Sequence, residues 1–184
     1  MRGGVQALST SALSIATKKP HLVYGTAWKK DDTAHYVHEA IKAGFRHIDT
    51  ACQPKHYNEP GVGNGWTAAA KELGLDRSDL WLQTKFTAPG GQDPNNIPYD
   101  PNAPLKEQML TSLETSLKNL QTDYLNSWVL HSPLKTTDKT MEAWRIMEEE
   151  FEKGRVLQLG ISNCYSLQQF QSIYNQAKVK PKVL

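Results

Sequence analysis

Two hydrophobic rhythms alternate along the chain. Short β-prone runs are each followed by a stretch whose apolar positions recur three and four residues apart, the spacing of one helix face. Val23–Ala27 reads as the first strand. Asp31 and Asp32 then offer an N-cap, Ala34, Val37 and Ile41 share a face, and Gly44 is a stop. His47–Ala51 is a second strand. Val62, Trp66, Ala69 and Leu73 form the second helical face, closed by Gly74, with Gly61–Gly65 as a loose helix start. Leu80–Phe86 is a third strand. Leu110, Leu113, Leu117 and Leu120 line a third helix, with Pro104 near its first turn. Tyr124–His131 and Val156–Ser162 are strands four and five. Trp144, Met147 and Phe151 mark the helix between them, ended by Gly154. Leu167, Phe170 and Tyr174 mark a fifth helix capped by Ser166, and Pro181–Leu184 begins a sixth strand.

Strands alternating with helices of this length predict βαβ units, a parallel sheet and right-handed crossovers. Two α/β architectures satisfy the pattern, a doubly wound open sheet and a (βα)8 barrel. Both place their chemistry at the carboxyl ends of the strands. Residues 87–104 break the rhythm: they hold five of the ten prolines and read as one long loop after strand three.

Composition narrows the function classes. The 21 Lys and Arg against 19 Asp and Glu leave a formal charge of +2 over 184 residues, without the basic excess of a dedicated nucleic-acid binder. No apolar run approaches the ~20 residues of a membrane-spanning helix. Cys52 and Cys164 are too few for a disulfide framework, and the cytoplasm is the default location. Residues 1–30 contain no acid and five Lys or Arg, faintly like a transit peptide. The plainer expectation is a flexible leader over residues 1–20 ahead of a domain at 21–184.

Asp49, Lys85, His131, Ser162 and Asn163 fall at the carboxyl ends of four successive strands. One such residue is usually a solvated strand end; four strands in step predict a shared site. The glycines at 61, 63 and 65 lack the spacing of either phosphate-binding loop. His35, His38 and Glu39 lack a metalloprotease order and read as a solvated helix face, so no metal site is expected. Both cysteines are inert by default, with Cys52 a minor suspect beside a basic site. Trp28 is a candidate because it directly follows strand one.

GFRHIDTA at 44–51, the tyrosine of HYNEPGVG at 56–63, LQTKF at 82–86, WVLHSP at 128–133 and GRVLQLGISN at 154–163 together resemble the aldo-keto reductases, in order and in strand placement. The proline-rich loop and the insertion at 52–56 look similar to a fungal-type branch. The resemblance implies a (βα)8 barrel, of which this chain would supply about five βα units and the start of strand six. It implies a catalytic set of Asp49, Tyr57, Lys85 and His131. Ser162 and Asn163 match the pair that holds the nicotinamide carboxamide. Gly25 and Thr26 match the turn bordering the cofactor, and Trp28 a substrate-pocket aromatic. The implied activity is reduction of a small-molecule aldehyde or ketone with NADPH, or NADH, and Tyr57 as general acid. Lys85 would lower the tyrosine pKa and Asp49 would hold Lys85.

Two departures from the family pattern carry expectations of their own. Asp49 and Tyr57 stand eight apart, so 52–56 must bulge, and His56 is an alternative site residue. The family's grip on the cofactor pyrophosphate would lie beyond Leu184. A half-barrel would have bare edges that invite self-association and an inner face of unpartnered apolar side chains. A non-catalytic fragment or binding module that pairs through those edges is therefore the alternative reading.

Overall fold

The computed structural model describes residues 22–184, so the leader expected at 1–20 lies outside the described residues. Five parallel strands form one sheet in chain order: β1 (Val23–Gly25), β2 (His47–Asp49), β3 (Trp81–Phe86), β4 (Ser127–Leu130) and β5 (Leu159–Ile161). The helices are α1 (Thr33–Lys42), α2 (Glu59–Leu73), α3 (Leu105–Asn119), α4 (Thr137–Glu152) and α5 (Leu167–Gln176). The strands are shorter than their hydrophobic runs, yet pairing continues past their ends. Thr50 N–H donates to Gln83 O and Cys52 N–H to Lys85 O. Val183 pairs in parallel with Gly160 where the sixth strand was expected.

Register assigns the two faces, because alternate residues of a strand share a side. Ile48, Leu82, Thr84, Phe86, Trp128, Leu130, Leu159 and Ile161 lie on the helix-covered face and are fully or almost fully buried. The other face carries the row Gly25, Asp49, Gln83 and Ser127, and then Lys85, Val129 and Gly160. Toward the carboxyl ends this inner face is largely polar or small, and Val23, His47 and Trp81 share it at the amino ends. The expected loss of apolar partners therefore does not arise there: Trp81 and Val129 are buried, and only Val23 is substantially exposed.

Local chemistry sets the helix ends. The Asn58 side chain accepts from Gly61 N–H at 2.9 Å, Pro60 sits in the first turn, and Gly74 closes α2 at φ 66°. Thr136 and Ser166 cap α4 and α5. Asp31 and Asp32 do not cap α1; they lie in a short 3-10 turn, Lys30–Asp32, that leads into it. The expected α2 face is buried at Val62, Trp66 and Ala69, with Leu73 exposed at its end, whereas α5 buries Ile173 and leaves Leu167 and Tyr174 exposed.

The triple-glycine run is not a loose start. A Cβ on Gly63 would lie 2.1 Å from Asn119 O at the end of α3, and one on Gly65 would lie 2.5 Å from Ala34 O in α1. Glycine here lets three helices approach backbone to backbone. Trp66 Nε1 reinforces the same contact by donating to Leu120 O at 2.7 Å.

Candidate active site

The carboxyl ends of β1 to β5 bring the sequence candidates into one region. Asp49 leaves β2 beside Lys85 on β3. The Lys85 ammonium donates to both Asp49 carboxylate oxygens, at 2.6 and 2.7 Å, and to Thr50 O at 2.8 Å. The pair is mostly buried. Gln83, in register with Asp49, adds a 2.7 Å bond from Nε2 to Oδ1. Burial pulls the Lys85 pKa down while Asp49 opposes that shift.

The insertion at 52–56 brings Tyr57 into this region. Both His56 and Tyr57 donate their backbone N–H to Gln53 O at 3.0 Å, which closes a tight turn around Pro54 and Lys55. The proline-rich loop pins it from the other side: Gln53 Nε2 donates to Gly91 O, and Gln92 Nε2 donates to Cys52 O at 2.9 Å. Tyr57 then places its ring 5.1 Å from Lys85 Nζ and edge-on to His131 at 6.1 Å between centroids. His56 packs its ring against Trp28, 4.0 Å between centroids and tilted by 43°.

The electrostatics correct one expectation. The Tyr57 pKa is not lowered beside Lys85: the phenol is held above its usual value, chiefly by burial and then by the Asp49 carboxylate. Tyr57 is thus protonated across the neutral range. His131 is neutral as well, pushed down to about 4 by burial and by Lys85. Its Nδ1 pairs with Thr87 Oγ1 at 2.7 Å, and its Nε2 has no hydrogen-bond partner among the described residues.

Thr26 is buried and bonds Asp49 O through N–H and Oγ1, fixing β1 to β2. Gly25 is exposed, and a Cβ there would meet nothing within 4 Å. Ser162 is half-buried. Asn163 adopts φ 53°, donates from Nδ2 to His131 O and accepts from Tyr165 OH, each at 2.7 Å. Trp28, also at positive φ, is 65% exposed and borders a cavity of about 240 Å³ with Tyr57, His131 and Asn163. Cys52 is buried with its thiol pushed far up by burial, which removes it as a nucleophile at neutral pH.

Three contributors were not among the sequence candidates. Gln83 was legible by period two from Lys85. Thr87 had no signal beyond its place after strand three. Glu59 stands in the HYNEPGVG stretch two residues after Tyr57, with no signal of its own. It is fully buried, and it accepts from Thr84 Oγ1 at 2.5 Å, Ser116 Oγ at 2.9 Å and Asn119 Nδ2 at 3.3 Å. Burial raises its pKa above the free value. A carboxyl raised on folding contributes stability that is full below its unfolded pKa of about 4.3 and is lost as pH rises through the folded value. Glu59→Gln, which cannot ionise, is therefore expected to gain stability relative to wild type as pH rises. Urea midpoints measured across pH check this, and parallel curves would contradict it.

The family model for the aldo/keto reductases matches residues 16–184. The chain belongs to the aldo/keto reductase family. A curated relative, glyoxal reductase of Bacillus subtilis, is 33% identical over 153 residues, 83% of this chain and 48% of that protein. The crystal structure of an aldo/keto reductase from Brucella melitensis superposes with TM-score 0.70 at 34% identity, over 88% of this chain and 56% of that one. A Bombyx mori aldo-keto reductase solved in complex with NADP gives TM-score 0.70 at 25% identity, over 89% and 52%. The chain spans about half the length of the curated relatives it matches. Relatives of comparable identity come from bacteria, fission yeast and a trypanosome, so no fungal-type branch is singled out. The five βα units of this family member correspond to part of a (βα)8 barrel. Among its described residues, no helix is long and apolar enough to cross a membrane.

Proposed function

We propose that this chain carries the centre for NADPH-dependent reduction of aldehydes and ketones to alcohols, with Tyr57 as general acid. The observation that carries the reading is that Tyr57 and a neutral His131 line one cavity, with the Lys85 ammonium of the Lys85–Asp49 pair 5.1 Å from the Tyr57 ring. The donor set at the end of β5 suits a nicotinamide carboxamide, which has one acceptor oxygen and two N–H donors. Ser162 Oγ and the Asn163 amide offer complementary groups, and open space beside Gly25 leaves room for a ring. A bound nicotinamide supplies hydride to the carbonyl carbon.

The chain's own residues handle the oxygen. Nε2 of a neutral His131, protonated when Nδ1 accepts from Thr87, can donate a hydrogen bond to the carbonyl and orient it. As hydride arrives, charge builds on that oxygen and its proton affinity rises above that of the phenolate. Tyr57 then gives up its proton. The Lys85 ammonium, fixed by Asp49 and Thr50 and 5.1 Å from the Tyr57 ring, is placed to offset the phenolate charge as it forms. The raised ground-state pKa keeps Tyr57 loaded, so the proton moves only when the carbonyl demands it.

The test is NADPH oxidation by the purified 184-residue chain. Oxidation should require an added carbonyl compound, and glyoxal is a rational first choice given the glyoxal reductase relative. NADPH alone should also raise the melting temperature, since a ligand at one hundred times its dissociation constant adds about 2.7 kcal/mol. Failure of both would remove the proposal.

A further inference from the structure

A second and larger cavity, of about 750 Å³, opens beside His131 between the proline-rich loop and the β4–α4 connection. It shares Thr87, Gly91, His131 and Ser132 with the smaller cavity at Tyr57, so the two lie side by side with His131 in the wall of both. Its walls are apolar, built from Ala88, Pro89, Leu105, Pro133 and Leu134. Its charged lining residues are Lys135 and Lys139, and no acidic residue lines it. Lys139 is paired with Glu142 at 2.7 Å. Lys135 is exposed and has no ion-pair or hydrogen-bond partner among the described residues.

The ordered loop makes this hollow a built feature. Buried Tyr99 donates to Thr87 O and packs on Phe86 at 5.6 Å, and Gln92 Nε2 bonds Cys52 O. The wall is thus tied to the same strand ends that carry the candidate catalytic residues. A ligand filling the hollow would present its reacting group near His131 and Tyr57, its apolar body to the proline and leucine side chains, and its far end to Lys135.

We propose that the preferred carbonyl compound has an apolar body and, at the end remote from the carbonyl, an anionic group such as a carboxylate. This rests on the reading of the site as a carbonyl-reducing centre. Charge complementarity carries it: a hollow with free positive charge and no acid at one end favours an anion there.

The test compares para-carboxybenzaldehyde with its neutral methyl ester, on the full chain and on Lys135→Glu. Binding is followed by NMR titration, and turnover by NADPH oxidation. Exposed charge pairs are worth up to about 1 kcal/mol, so the wild type should bind the acid about three- to fivefold more tightly than the ester. The preference should weaken with added salt and vanish or reverse in Lys135→Glu. Equal binding of acid and ester, or a preference that survives Lys135→Glu, overturns the inference and leaves carbonyl reduction standing if NADPH is oxidised. A Lys135-dependent preference without NADPH oxidation supports the anion end of the hollow and overturns the reductase reading. Lys135 is exposed and unpaired, so the substitution should not disturb folding, and a melt of the variant verifies that.

Discussion

Tyr57→Phe is expected to lower turnover by about a hundred- to ten-thousandfold while leaving NADPH binding nearly intact. Removing a positioned general acid typically costs this range, equivalent to about 3–5 kcal/mol of barrier at 1.36 kcal/mol per decade. The substitution deletes only the hydroxyl. Phenylalanine keeps the ring that faces Lys85 and meets His131 edge-on, and the backbone bond to Gln53 O is unaffected. The groups suited to the nicotinamide lie on other strands, at Gly25, Ser162 and Asn163. The melting-temperature shift produced by NADPH should therefore match wild type while carbonyl-dependent oxidation disappears. Near-normal turnover in the variant would transfer the acid role elsewhere, with His131 the next candidate.

Gly63→Ala is expected to destabilise the fold by about 3 kcal/mol or more. Overpacking ordinarily costs about 1–3 kcal/mol and sometimes exceeds that. This site lies at the high end because the added carbon meets main chain: Asn119 O at 2.1 Å, with Asn119 C and Leu120 Cα just beyond 3 Å. Relief requires the end of α3 to move, and that movement strains the Trp66–Leu120 bond and the Asn119 contact with Glu59. The better helix propensity of alanine returns at most about 1 kcal/mol. Gly90→Ala is the control, since a Cβ there meets nothing within 4 Å, and its midpoint should stay within about 0.5 kcal/mol of wild type. Equal denaturation midpoints for the two variants would mean that α2 and α3 are not in backbone contact.

Much of the architecture was legible in the sequence because strands and helices here obey binary patterning. The five strands, their parallel order and the five helices follow from alternating short β-prone runs and three-four spacing. So does the clustering of Asp49, Lys85, His131, Ser162 and Asn163 at one end of the sheet. Other features depend on tertiary contact. A run such as Gly61–Gly65 looks weak by propensity, and only the approach of Ala34 O and Asn119 O reveals why side chains are excluded. The turn that delivers Tyr57 depends on Gln53 and Gln92 reaching the proline-rich loop, a contact with no local signature. The upward direction of the Tyr57 shift comes chiefly from burial of the phenol and then from Asp49, and burial at that position has no signature in the motif. The polar inner face was partly readable in LQTKF, where Gln83 and Lys85 alternate with Leu82, Thr84 and Phe86. Assigning those residues to the inside required the register with β2 and β4.

The most direct measurement is isotopic. The purified chain is mixed with NADPH deuterated at the transferable nicotinamide position and with para-carboxybenzaldehyde, and the product is analysed by NMR. The account predicts the corresponding alcohol with one deuterium on the carbinol carbon, formed by wild type and essentially not by Tyr57→Phe. Unreduced aldehyde after prolonged incubation, from a chain shown by its melt to be folded and to bind NADPH, would contradict it.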